Sequence, residues 1–296
     1  MQNDLTLVSR FVATNGVTLH VVQSGPEDGP LVLLLHGFPE FWYGWRHQIQ
    51  PLAQAGFRVW APDQRGYNLS DKPRGLDAYR LDTLALDIVG LIDAAGRDRA
   101  IVVGHDWGAV VAWWLALHHA ERLHKLVILN VPHPVVMQRA LRSRPRQMLR
   151  SLYAAFFQLP SLPEYLILRD NCRGGKQALL KTSRPGTFSE ADLEPYCRAW
   201  TQPGAMTSML NWYRALVRRR PEMPAQPNVG IPTRIIWGAQ DFALSREMAP
   251  ESAALCDNGQ LVMIEEATHW VQHEEPARVN ALLLDFLGSP RDIAGQ

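Results

Sequence analysis

The chain has 296 residues, 47% of them hydrophobic and 20% charged, and a formal net charge of +1. That length supports a substantial core in one large domain with an insertion, and the near-neutral charge argues against dependence on nucleic acid or an anionic membrane. No signal segment opens the sequence, no apolar run is long enough to span a bilayer, and the cysteines Cys172, Cys197 and Cys256 are scattered without metal-ligand spacing; a soluble cytoplasmic protein with free thiols in a reducing compartment is expected.

Residues 5–13 and 17–24 read as short strands joined by Asn15-Gly16, a hairpin signal that starts a mixed sheet in antiparallel sense. Residues 31–35 are apolar without alternation, as in a strand covered on both faces, and run into His36-Gly37-Phe38-Pro39-Glu40. Helical spacing over 43–55 closes at Gly56, and a strand over 57–61 leads to Asp63-Gln64-Arg65-Gly66-Tyr67. An amphipathic helix over 81–95 precedes Ile101-Val102-Val103-Gly104-His105-Asp106-Trp107-Gly108. Here β-branched residues predict a buried strand, Asp106 sits at the tip of a sharp turn, and 109–118 continues as a helix apolar nearly all round. Gly104 and Gly108 are expected because side chains there would collide with the neighbouring strand and helix. Another strand follows over 126–129, and the alternation implies parallel βαβ units.

Residues 134–230 lack parallel-strand runs and read as helices punctuated by Pro160, Pro163, Gly174-Gly175 and Pro185-Gly186. Ser189 with Asp192 is a weak capping signal, since the usual partner is Glu or Gln. Pro221, Pro224, Pro227 and Pro232 form a stiff return. The division is therefore core 1–133, helical cap 134–230 and core 231–296. Strands over 233–237 and 261–264 lead to Gly238-Ala239-Gln240-Asp241 and Glu265-Glu266-Ala267-Thr268-His269, and a terminal helix covers 276–287. The basic clusters Arg139, Arg142, Arg144, Arg146, Arg150 and Arg218, Arg219, Arg220 are expected as solvated helix faces or surface turns.

Ligands of open parallel sheets sit at the carboxyl ends of the strands, where Asp106, Asp241 and His269 all fall, in the order nucleophile, acid, base. An aspartate is an anion at neutral pH and can displace a leaving group from saturated carbon without a base. The ester so formed must be hydrolysed by an activated water, which calls for a histidine, a carboxylate to orient it and an oxyanion hole. Asn130, after the strand over 126–129, carries no charge to steady an imidazolium, so Asp241 is the preferred acid. Plain structural readings stand beside these: Asp106 as a helix N-cap, Asp241 as a turn residue, His-Gly-x-Pro as a tight turn. His273, between Gln272 and two glutamates, is expected to cap or to be exposed. Zinc on His269 and His273 would need Glu directly after the first His, where Trp270 stands.

His36-Gly37-Phe38-Pro39-Glu40, Asp63-Gln64-Arg65-Gly66-Tyr67-Asn68-Leu69-Ser70, Gly104-His105-Asp106-Trp107-Gly108 and His269-Trp270-Val271-Gln272-His273 resemble the epoxide hydrolase branch of the α/β-hydrolases. The resemblance implies an α/β-hydrolase fold: a mostly parallel twisted sheet flanked by helices, with an inserted helical cap. It implies an oxyanion hole from the backbone N–H groups of Phe38 and Trp107, with Phe38-Pro39 a candidate cis bond. Two cap tyrosines of that family map to Tyr153, in Ser151-Leu152-Tyr153-Ala154-Ala155-Phe156-Phe157-Gln158, and Tyr213, in Asn211-Trp212-Tyr213-Arg214. Either could instead be an amphipathic core tyrosine. The implied reaction takes an epoxide and water to a vicinal diol without metal or cofactor. Phe38, Trp42, Trp107, Phe156 and Trp270 are candidate pocket residues that suit a lipophilic or aromatic epoxide. A haloalkane dehalogenase shares the aspartate and the Trp after it but commonly places a second halide donor, often Asn, where Phe38 stands. Fluoroacetate dehalogenases carry an arginine motif after the aspartate that is not matched here. A receptor that kept the fold and lost catalysis is the reading from another class, and the sequence leaves a homodimer open.

Overall fold

A computed structural model describes residues 6–294. Among them eight strands, β1 (Val8–Thr14), β2 (Val17–Ser24), β3 (Leu31–Leu35), β4 (Arg58–Pro62), β5 (Ala100–His105), β6 (Leu123–Leu129), β7 (Thr233–Gly238) and β8 (Gly259–Ile264), form one sheet. Their spatial order is β1-β2-β4-β3-β5-β6-β7-β8. β2 runs antiparallel to both β1 and β4, and every other neighbouring pair is parallel. Asn15 and Gly16 take the φ values of 40° and 74° that a tight hairpin demands. β1 begins at Val8, and Leu5, the start of the expected strand, lies outside the described residues.

The continuous apolar runs reflect a sheet buried on both faces. Leu33, Leu35, Val102, Leu126, Ile128 and Ile235 belong to one core, whereas their strand neighbours Val32, Leu34, Ile101, Val103, Val127 and Ile236 belong to the other. The crossover helices are α1 (Ile49–Gln54), α2 (Leu81–Ala94) and α3 (Trp107–His118). The helix expected over 43–55 is split into a 3-10 turn over Trp42–Trp45 and α1. Pro51, which has no N–H to donate, is tolerated in the first turn of α1 and disfavours one continuous helix over 43–55. α3 is apolar all round because Ala109, Val111, Ala112, Trp113 and Leu115 are all buried.

Between β6 and β7 lie α4 (Pro134–Ser143), α5 (Pro145–Arg150), α6 (Leu152–Phe156), α7 (Leu162–Thr182), α8 (Glu190–Trp200) and α9 (Ala205–Arg218). The Ser189 and Asp192 signal at α8 is a complete capping box: the Asp192 N–H donates to Ser189 Oγ and the Ser189 N–H to Asp192 Oδ2. α7 is broken at its middle, where Arg169 is extended and Asp170, Asn171 and Cys172 have φ of 54°, 55° and 59°. That break turns Cys172 towards α8, and Cys172 and Cys197 form a disulfide with their Cα atoms 5.7 Å apart. The expectation of three free thiols is thus corrected to one, the buried Cys256, and its case for a reducing compartment loses two of three cysteines. The remaining helices are α10 (Met248–Ala253), α11 (Val271–Glu274), α12 (Pro276–Leu287) and α13 (Pro290–Ala294). No helix among the described residues is long and apolar enough to cross a membrane.

Candidate active site

The turn from β5 into α3 holds Asp106 at φ 48° and ψ −123°, a conformation that costs a non-glycine residue on the order of 1–3 kcal/mol and persists only where its surroundings enforce it. A Cβ on Gly108 would lie 2.0 Å from the Leu35 carbonyl oxygen, and one on Gly104 would lie 2.6 Å from the Gly108 carbonyl oxygen. β3, β5 and α3 therefore approach as closely as glycine allows. Although Asp106 precedes α3, its side chain makes no capping bond. Instead Oδ1 accepts the Phe38 N–H at 2.7 Å, and the Phe38-Pro39 peptide is cis. Trp107 opens α3, so its N–H has no partner within the helix.

His269 stands between β8 and α11, its Nδ1 2.7 Å from Asp241 Oδ2 and its Nε2 3.6 Å from Asp106 Oδ2. Asp241 follows β7 and is buried; its Oδ1 accepts the N–H groups of Ala243 and Leu244. Asn130, at the end of β6, donates Nδ2 to Asp241 Oδ2 at 2.8 Å and accepts the Gly238 N–H on Oδ1. The residue set aside as an acid thus braces the acid, a role its amide serves better than a second carboxylate would. Arg150 donates to the backbone carbonyl of Asp241, and buried Gln147 ties down Ala243 and Ser245.

Electrostatics sharpen the pair. Burial opposes an imidazolium at His269, but the charge of Asp241 and hydrogen bonding to Asp106 and Asp241 outweigh it and push the group up to about 10. Burial would likewise raise the Asp106 carboxyl, yet the hydrogen bond and charge of His269 hold it below the usual carboxylate range. At neutral pH the resting arrangement is an imidazolium between two carboxylates.

A cavity of about 480 Å³ opens over Asp106. Trp107, Tyr153 of α6 and Tyr213 of α9 line it, and the two phenol rings lie 6.0 Å apart at 80°. Tyr213 is buried against Trp107, Phe38 and Phe157. Tyr153 keeps 37% of its surface accessible and stands edge-on to Phe157. Burial, then the negative charge of Asp106, raises both phenols above the ordinary tyrosine value, so both stay protonated. The other expected pocket residues need correction: Phe38, Trp42, Phe156 and Trp270 do not line this cavity. Trp42 packs on Phe41 and Tyr43, Phe156 on Phe157, and Trp270 stands edge-on to His269 with its indole N–H on Thr182. The walls come instead from α4, α9 and the segment joining β6 to α4, with Val131, Met137 and Leu216 among them.

His273 is also corrected: it neither caps nor is exposed. It is buried with Nε2 2.6 Å from Glu40 Oε1, while Gln272 donates to Glu40 Oε2. Burial opposes the Glu40 anion, but His273 and His105 hold it well below the usual range. His105 Nε2 in turn meets the His269 carbonyl at 2.8 Å. α8 reaches the same loop, with Tyr196 donating to Glu40 and the Trp200 indole to the Pro39 carbonyl. Glu40 stood in a recognisable motif, yet its partners, His105, Tyr196, Gln272 and His273, lie 65 or more residues away and no local signal announces them.

Known proteins share this fold. The α/β hydrolase fold family profile matches residues 30–276. The chain is 52% identical over 279 residues to the AB hydrolase superfamily protein YfhM of Bacillus subtilis, covering 94% of this chain and 97% of that protein. It is 36% identical to Epoxide hydrolase A of Mycobacterium tuberculosis, covering 94% and 96%. The crystal structure of Bacillus megaterium epoxide hydrolase in complex with an inhibitor superposes with a TM-score of 0.86 at 36% identity, covering 94% of this chain and 99% of that one. A profile spanning most of the chain and relatives matched nearly end to end leave one assignment: the chain belongs to the α/β hydrolase fold family, where its relatives include epoxide hydrolases.

Proposed function

We propose that this chain is an epoxide hydrolase that converts lipophilic epoxides to vicinal diols, with residues 134–230 as a cap over a core of 1–133 and 231–296. The observation that carries the reading is the Asp106 carboxylate, which leaves its own helix uncapped, fixes Oδ1 on the Phe38 N–H and turns Oδ2 towards His269. Such an anion is ready to attack carbon. Oδ2 forms a C–O bond to one epoxide carbon as the ring C–O bond breaks, and the departing oxygen takes a proton from Tyr153 or Tyr213. An alkoxide is a poor leaving group in water, so phenols that remain protonated next to it supply the needed acid.

Esterification removes the charge of Asp106, one of the two that hold the proton on His269. His269 then yields that proton through pocket water to the phenolate and becomes a neutral base. It takes a proton from water, hydroxide attacks the ester carbon, and the oxyanion forms at Oδ1 against the N–H groups of Phe38 and Trp107. Collapse releases the diol, which takes its last proton from the new carboxyl group. Asp106 ends as an anion and His269 as a cation, the state in which the cycle began. No step calls on a metal or cofactor.

The test is a single turnover with excess enzyme in heavy-oxygen water. The first diol should carry no solvent oxygen, and repeated turnover should load the label into Asp106. A labelled first diol with an unlabelled Asp106 would remove the ester. His269→Gln should accumulate the substrate's mass on Asp106. A haloalkane control in the same assay separates the dehalogenase alternative by halide release.

A further inference from the structure

Asp63 opens a motif that the proposed reaction does not use, and it carries a constellation of its own. His20 of β2 places Nδ1 2.7 Å from Asp63 Oδ2 and Nε2 2.5 Å from Oγ of Ser9 in β1. The Nδ1 distance is the one found between His269 and Asp241. Asp63 also accepts the Trp42 N–H on Oδ1 at 2.9 Å and the Asn68 amide on Oδ2 at 2.8 Å. A carboxyl group that takes donors on both oxygens acts as an acceptor, so the imidazole hydrogen sits on Nδ1 and Nε2 is left to accept the Ser9 hydroxyl. The backbone of His20 is pinned as well, its N–H on Ser70 Oγ and its carbonyl on the Asp63 N–H. His20 and Asp63 are buried, whereas Ser9 is exposed above them. Phe11, two residues along the same face of β1, is 62% exposed and lies 5.4 Å from the imidazole between ring centroids. β1 is the edge of the sheet, β4 and β3 separate β2 from β5, and Ser9, His20 and Asp63 do not line the cavity over Asp106.

We propose that Ser9 is a second nucleophile of this chain, activated by His20 and Asp63, and that it accepts an acyl group from an activated donor, a thioester or an acyl phosphate. A serine hydroxyl needs an adjacent base before it attacks, and the base needs a third group to orient it. Both stand within hydrogen-bond reach here. As Oγ bonds to the acyl carbon, its proton passes to His20 Nε2. The bond from that carbon to sulfur or phosphate oxygen then breaks, the leaving group departs with the electron pair as thiolate or phosphate, and the imidazolium returns its proton to water. At an exposed strand edge the tetrahedral oxyanion forms against water, which brings only acyl groups already activated by their leaving group within reach. The exposed Phe11 ring offers the acyl group an apolar surface beside the nucleophile. This site is independent of Asp106 and stands or falls apart from epoxide hydrolysis.

The test treats the whole protein with acetyl phosphate or with S-acetyl-N-acetylcysteamine, a small thioester, and maps acetylated residues over time by peptide mass spectrometry. Ser143 and Ser289 serve as internal controls, being exposed serines whose printed hydrogen bonds go to backbone alone. Acetylation of Ser9 should outrun theirs by about a hundredfold, the lower end of what a positioned general base supplies. In His20→Gln that lead should vanish, and in Ser9→Ala the label should be missing from its peptide. Labelling by the thioester or by acetyl phosphate identifies the donor, and labelling by neither overturns the proposal. A Ser9 rate equal to that of the control serines, or one unchanged in His20→Gln, also overturns it and leaves the hydroxyl as a structural partner of a buried ring. Where the His20 variant fails to fold, the wild type in heavy water decides: base-assisted acylation slows because a proton moves with the attack, whereas an unslowed rate overturns the role of His20.

Discussion

Asp106→Asn imposes, without chemistry, the charge state that esterification would create, and its effect should appear at His269. The rise of that imidazole from 6.5 to about 10 is about 3.5 units, which at 1.36 kcal/mol per unit is about 5 kcal/mol favouring the charged ring. The group is buried, so solvent does little to screen this. Because its folded value lies above its unfolded one, the stability it contributes is complete below pH 6.5 and is lost as pH rises through about 10. Asparagine at 106 keeps the shape but removes one of the two anions that hold the proton, so the titration should move down by ~1–3 units. Imidazole NMR of selectively labelled protein would follow His269 in both forms. Wild type should show a charged ring at pH 7.5, and the variant should titrate closer to neutrality with a flatter stability curve above pH 7. A neutral ring in the wild type, or the same midpoint in both proteins, would refute the idea that charge loss at Asp106 converts His269 from cation to base.

Tyr153→Phe and Tyr213→Phe should each lower the rate of alkylation in rapid-mixing experiments, and the double change should cost much more than either, since one phenol can still support the oxygen; equal rates for all four proteins would remove the phenols from the mechanism. Gly108→Ala should destabilise the fold by ~3 kcal/mol or more in urea titration, because the methyl group meets the Leu35 carbonyl at 2.0 Å with backbone on both sides. Cys172→Ser/Cys197→Ser opens a closure between residues 25 apart and should lower stability by about 3 kcal/mol on the chain-entropy view. Free-thiol counting should find one thiol in the denatured oxidised wild type and three after reduction.

The sheet and the elbow were legible because their signals are local. Runs such as Leu31–Leu35 have the pattern expected of strands covered on both faces, and Gly104 and Gly108 around one carboxylate announce the turn within five residues. The antiparallel start followed from Asn15-Gly16 for the same reason. Long-range partnerships were not legible. His273 finds Glu40 across 233 residues, so the neighbouring glutamates suggested exposure where the fold buries the ring. Asn130 could be excluded as an acid, but its service to Asp241 depends on two strand ends meeting. The pocket walls went astray at Phe38, Trp42, Phe156 and Trp270 because an apolar side chain next to a motif does not say which surface it packs against. The α7 break left a hint in Asp170-Asn171, residue types that tolerate the left-handed region, although nothing near it pointed to Cys197.

The contacts of α8 with the loop after β3 carry a consequence for engineering. Trp200 grips the carbonyl of Pro39 and Tyr196 the carboxylate of Glu40, one and two residues from the amide that steadies Asp106. The roof and the floor of this enzyme are thus spliced together at a few atoms. Transplanting residues 134–230 from a relative to change substrate choice would swap those grips along with the walls, and the graft should work only if the donor's own 36–40 segment travels with it.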